Sequence, residues 1–139
     1  MKSKVVFDTN IYISAVIFGG NPRSCLELAR KGEVELFTSS AIILEISKKL
    51  KNKFKWKDEE VFEVIEGLSK FIKKVTPQEK LSVIKTDPTD NKILECAKEA
   101  KTDFIVSGDV KHLLSLKNFG KIKIVSTKQF LDIFYKKAE

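Results

Sequence analysis

The sequence predicts an α/β domain built on a mainly parallel sheet. Three observations carry this. Short apolar runs alternate with segments whose apolar residues recur at three- and four-residue spacing. The runs are nearly continuous in apolar residues, as strands covered on both faces are. The intervening segments are long enough to be the helical crossovers that parallel strands require. At 139 residues the chain is expected to form one domain, 1–139, with a core that needs no covalent staples.

The elements follow in order. Val5, Val6 and Phe7 read as a fully buried strand, and Ile11, Tyr12, Ala15, Val16 and Ile17 recur at helical spacing. Asp8, Thr9 and Asn10 therefore mark a strand-to-helix junction. Within PRSCLELARKG (22–32), Pro22 lies near a helix start, Arg30 and Lys31 fall in the last turn, and Gly32 is the stop. VELF (34–37) is a short strand, after which either Ser39 or Ser40 caps the helix AIILEISKKLKNKF. Asp58, Glu59 and Glu60 open a helix whose apolar spacing runs to about residue 74. LSVI (81–84) is read as a strand. In DPTDNKILECAKEA, Asp87 suits the N-cap and Pro88 the first helical position. DFIVSGD (103–109) is a buried strand ending at a glycine, HLLSL (112–116) a short helix, KIKIVS (121–126) the last strand and TKQFLDIFYKK the last helix.

Composition narrows the function classes. With 42% hydrophobic and 32% charged residues, the chain is a folded one and not a disordered one. No apolar run nears the roughly 20 residues of a membrane helix, so a cytoplasmic protein with no membrane contact is expected. Cys25 and Cys96 have neither CxxC nor Cys/His metal spacing and read as small buried apolar residues. A net charge of +7 favours polyanionic partners, nucleic acid among them.

The acids point to chemistry. In open parallel sheets, ligands gather outside the carboxyl ends of the strands. Asp8 follows the first strand, Asp90 opens a helix, and Asp109 follows the strand at 103, so three carboxylates fall on one rim. Crowded carboxylates either take up protons or recruit a cation. Hard oxygen donors without a Cys/His cluster select Mg²⁺ or Mn²⁺. Such an ion reverses the local sign and lets an acidic pocket hold a phosphodiester.

FDTNIYISAV, the helical Glu45, DPTDNKILECAKEA and DFIVSGDVKHLL, in that order, resemble a PIN-domain nuclease of the kind found as the toxin of toxin–antitoxin pairs. The resemblance spans nearly the whole chain. It implies a three-layer α/β/α fold with a mainly parallel five-stranded sheet, and a metal-dependent endoribonuclease with catalytic acids at Asp8, Glu45, Asp90 and Asp109. Of these, Asp8, Asp90 and Asp109 are the metal ligands. It also implies an RNA substrate, products with 5′-phosphate and 3′-hydroxyl ends, an antitoxin partner and a homodimer. Many relatives carry a further Asp three residues after the last acid, where this chain has His112. That departure bears on a second metal site.

Local readings compete at several positions. Thr9 and Asn10 either cap the helix or orient a ligand or phosphate. Glu45 has Lys48 and Lys49 three and four residues on, the spacing of a surface ion pair. Asp109 after Gly108 forms either a turn or part of the site, and Ser107 either contacts phosphate or ends the strand. His112 is assigned no chemistry. In KKLKNKFKWK (48–57), Phe54 and Trp56 either stack on bases or pack inward. Two other functions fit the same acids: a receiver-like Mg²⁺-binding signalling domain with Lys128 near the phosphate, and a non-catalytic basic nucleic-acid-binding module.

Overall fold

A computed structural model describes residues 2–84, 88–109 and 113–138. The chain runs β1 (Lys4–Phe7), α1 (Thr9–Ile17), α2 (Gly20–Arg30), β2 (Glu35–Thr38), α3 (Ser40–Asn52), α4 (Asp58–Ser69), β3 (Lys73–Lys74), α5 (Pro88–Ala100), β4 (Phe104–Val106), α6 (Leu113–Leu116), β5 (Asn118–Phe119), β6 (Ile122–Val125) and α7 (Thr127–Ala138). The expected cap at Asp87, and His112, lie outside the described residues.

Strand order is β3-β2-β1-β4-β6-β5. All pairings are parallel except β5 with β6. The expected parallel sheet is thus present, extended by one short antiparallel strand at the β6 edge. Successive side chains of a strand point to opposite faces, yet Val5, Val6 and Phe7 are all fully buried. Both faces of β1 are therefore covered by helices, which is the three-layer α/β/α arrangement. On one face α5 packs on β1, β2 and β4, burying Leu94 and Ala97 completely. Phe130 of α7 meets Phe104 of β4 edge-on at 5.6 Å. Cys25 and Cys96 are free and buried, and burial pushes both thiols up to about 12.

Local chemistry explains the helix ends. Ser39 is the N-cap of α3, its Oγ accepting the Ile42 N–H at 3.4 Å. Gly32 stops α2 at φ +77°, a conformation that disfavours any residue with a Cβ. Arg23 donates from Nε to the Ala15 carbonyl at 2.9 Å and from Nη2 to Val16 at 3.2 Å, closing the end of α1.

Two expectations are corrected. Residues 81–84 are not a strand. They belong to a segment bound along α5 by side chains: Glu99 accepts the Gln78 N–H, Glu95 that of Leu81, and Asn91 both accepts from and donates to the Ile84 backbone at 2.9 and 2.6 Å. These bonds satisfy backbone groups that a ladder would otherwise take. The third strand in chain order is instead Lys73–Lys74, and α4 ends at Ser69, where Ser69 Oγ turns back to the Glu66 carbonyl at 2.7 Å. Of the two readings of Phe54 and Trp56, inward packing is the one borne out, since both are partly buried against the core.

Candidate active site

The sheet order reverses between β1 and β4, because β2 lies outward on one side of them and β6 on the other. Crevices at such a switch point lie beyond the carboxyl ends of the two central strands. Asp8 leaves β1 there, and Ser107 to Asp109 leave β4. The Asp8 N–H continues the ladder to the Val106 carbonyl at 2.9 Å, and the Ser107 N–H continues it to Val125 at 2.9 Å. Both residues are thus fixed by backbone before any side chain is considered.

Their side chains form a relay. Asp8, 5% exposed, caps α1, with Oδ1 accepting the Asn10 N–H at 3.4 Å. Its Oδ2 accepts the hydroxyl of the fully buried Ser107 at 2.9 Å. The same Ser107 oxygen accepts the Asp109 N–H at 3.0 Å. One hydroxyl therefore ties two acidic residues from adjacent strands together. Burial raises the Asp8 pKa above 3.8; the Ser107 hydroxyl, the Asn10 N–H and the Lys49 charge oppose it, and the Asp109 charge adds to it.

A second group flanks the first. Lys49 of α3 donates from Nζ to Asn10 Oδ1 at 2.9 Å and stands 4.0 Å from the Glu45 carboxylate. Glu45 is thus ion-paired as its spacing suggested, but with a lysine that also reaches α1. Asp90 is 6% exposed in the first turn of α5. That helix precedes β4 and runs back against it, so its start lies at the same rim as Asp8. Thr9 is buried in the first turn of α1. Among the described residues, no three His, Cys, Asp or Glu side chains gather tightly enough to form a ready-made metal cluster. The close association is between Asp8 and Asp109; Asp90 shares their rim through the start of α5, and Glu45 is linked to α1 through Lys49.

A family model described as the PIN domain matches residues 4–111. The chain belongs to the PIN-domain family. An uncharacterized protein of Methanocaldococcus jannaschii is 31% identical to it over 98% of this chain and 94% of its own length. A chain in the crystal structure of VapBC2 from Rickettsia felis, solved bound to a DNA fragment from its promoter, superposes with a TM-score of 0.64. It covers 88% of this chain and 98% of that one, at 14% identity, which is a likeness of fold.

PIN domains are generally nucleases, and they typically use divalent metals. The family thus displaces the receiver-like alternative. No helix among the described residues is long and apolar enough to cross a membrane. Sequence reasoning missed Lys49 beside the candidate site of this PIN domain. Its spacing from Glu45 put both on one helical face, and that was the available signal; its bond to Asn10 exists only because α3 packs on α1.

Proposed function

We infer that this PIN domain is a Mg²⁺- or Mn²⁺-dependent endoribonuclease that hydrolyses RNA phosphodiester bonds, acting as the toxin of a toxin–antitoxin pair. The observation that carries this reading is the Asp8–Ser107–Asp109 relay at the switch point of the sheet. Mg²⁺ keeps several waters and is commonly bound by one or two carboxylates, not by an all-protein cage. Two adjacent hard-oxygen groups on fixed backbone fit that mode. Asp8, Asp90 and Asp109 would hold the ion, directly or through water, and Glu45 joins them as the fourth catalytic acid.

When bound, a divalent ion supplies Lewis acidity toward the phosphate and lowers the pKa of water. The protein's own groups do the rest. Ser107 and the Asn10 N–H fix the two oxygens of Asp8, so that neither rotates away on burial. Lys49, with Ser107 and the Asn10 N–H, opposes the rise that burial imposes on the Asp8 pKa. It also fixes the amide of the exposed Asn10, the side chain of this group open to a phosphate, while the buried Thr9 and Ser107 support it from behind. The carboxylates orient the attacking water, and no covalent enzyme intermediate is needed. The products carry 5′-phosphate and 3′-hydroxyl ends.

The fold likeness to VapBC2, a toxin–antitoxin complex, supports an antitoxin partner; a homodimer and a cytoplasmic site of action complete the reading. The test is cleavage of labelled RNA by the purified chain with Mn²⁺, with excess chelator, and in Asp8→Asn. Cleavage only by the parent protein with metal is expected. Undiminished cutting by the variant, with its helical circular dichroism intact, would refute the assignment.

A further inference from the structure

At the opposite end of the sheet, beside the amino ends of β1, β4 and β6, lies a cleft of about 560 Å³ lined by Lys2, Lys4, Lys101, Lys121 and Lys123 around Asp103. It is separated from Asp8 by the length of β1, about 13 Å at the usual rise per residue. Five ammonium groups share one carboxylate, and that carboxylate is already engaged, since Asp103 Oδ2 accepts the Lys4 N–H at 2.9 Å. Among the described residues, none of the five lysines forms a salt bridge. The nearby Glu35 pairs with Lys73 at 2.9 Å and also feels the charges of Lys4 and Lys2, which leaves Lys101, Lys121 and Lys123 as the less compensated wall. Lys123 also lines a neighbouring cleft along β6 with Lys117 and Lys128, and no acid lines that one.

The backbone at one wall residue, Lys101, and at Lys117 of the neighbouring cleft is also unusual, as it is at Lys55 away from both (φ +59°). Lys101 and Lys117 sit at φ +53° and +62°, where glycine is at ease and a Cβ is disfavoured. Lys101 follows α5, with its N–H on the Lys98 carbonyl and the next N–H, from Thr102, on Ala97. Glycine is the ordinary residue at such a helix end. The lysine is present despite the local backbone preference. Surfaces that serve solubility alone intersperse both signs, whereas a concave wall of one sign concentrates its field on an oppositely charged partner.

We propose that this lysine cleft is a second nucleic-acid contact, which binds the phosphodiester backbone of single-stranded RNA independently of the acidic rim. A cleft of about 560 Å³ has room for a short stretch of the backbone of one strand. Phe104 at its floor is 6% exposed and presents no ring for stacking, so recognition is by charge and tolerant of sequence. The competing occupant is a second copy of the chain, whose α4 opens with the exposed acids Asp58, Glu59 and Glu60. Two of those acids are already engaged within their own copy, Asp58 by Lys51 at 3.0 Å and Glu60 by the Lys57 N–H at 2.9 Å, which disfavours that pairing. The role of the cleft in substrate capture rests on the nuclease reading; the binding itself does not.

The test is fluorescence anisotropy of a labelled polyuridine RNA in excess chelator, where nothing is cut. The cleft variant Lys101→Gly/Lys121→Gln/Lys123→Gln is compared with Lys70→Gln/Lys80→Gln/Lys136→Gln, which removes the same charge from other exposed positions. Glycine suits position 101, so the thermal midpoint of the cleft variant is expected to match or exceed that of the parent. Each lost phosphate contact is worth roughly 5-fold at 0.1 M salt, giving about 100-fold weaker binding and a log–log salt slope shallower by about 2. The other variant is expected to stay within about 3-fold of the parent. Equal losses in both variants, or parental binding by the cleft variant, overturn the proposal. So does a parent dimer that only the cleft variant dissolves while RNA affinity is unchanged, which assigns the cleft to α4 of a second copy.

Discussion

Replacing Ser107 with alanine removes the single hydroxyl on which the acidic rim is assembled. The side chain is fully buried, donates to Asp8 Oδ2 at 2.9 Å and accepts from the Asp109 N–H at 3.0 Å. A buried hydrogen bond to an ionised group is worth about 1.5 to 3 kcal/mol and a neutral one about 0.5 to 1.5, so the variant is expected to lose roughly 2 to 4 kcal/mol near pH 7. For a domain of this size that lowers the thermal midpoint by roughly 6 to 12 °C. The loss has a pH signature. Burial already holds the Asp8 pKa above 3.8, and Ser107 is the largest influence opposing that rise; without it the folded pKa moves higher still. Asp8 is the same in both unfolded chains, so the charge-dependent part of the gap is present above the variant's folded pKa. It disappears as pH falls through the two folded values, and by about pH 3.8 only the neutral-form difference, about 1 kcal/mol, remains. Urea unfolding followed by circular dichroism from neutral pH down to about 4 measures the gap. A difference that stays constant, or grows toward acid, would refute the reasoning.

Asp8→Asn is expected to abolish cleavage and to raise the thermal midpoint near pH 7, because the ionised group it replaces is unfavourably buried. That gain should fade as pH drops through the raised folded pKa and vanish below 3.8, which calorimetry across pH would follow. Lys49→Met takes away the charge that draws the Asp8 pKa down; the acidic limb of the pH–rate profile should move to higher pH, with about 10- to 100-fold lower activity. Asn91→Ala leaves the buried Ile84 N–H and carbonyl without their bonds and should destabilise by roughly 2 to 4 kcal/mol in urea unfolding. Should it cost under about 0.5 kcal/mol, the bound segment contributes nothing to stability.

Much of the sheet was legible because its central strands are apolar on both faces, so VVF, VELF and FIV announce themselves by composition. Where burial is one-sided or side chains substitute for a ladder, the signal fails. Lys73 and Lys74 are exposed edge residues and carry no apolar pattern, whereas LSVI looks like a strand but takes its hydrogen bonds from Glu95 and Asn91 of α5. At the site, Asp8, Ser107 and Asp109 were readable from their places at strand ends. The Ser107 relay was not, since it needs β1 and β4 to be neighbours. Glu45 and Lys49 show the same limit: helical spacing gives their pairing, but the reach of Lys49 to Asn10 depends on how two helices dock.

Both margins of the sheet stop short. One closes on the two residues Lys73–Lys74 and the other on the two residues Asn118–Phe119. A foreign strand needs a long, flat row of open backbone groups to latch onto, and abbreviated borders, one of them also charged, deny it one. Assembly by continuation of the sheet across molecules is thereby discouraged, and helices and loops are left as the broader surfaces for contact.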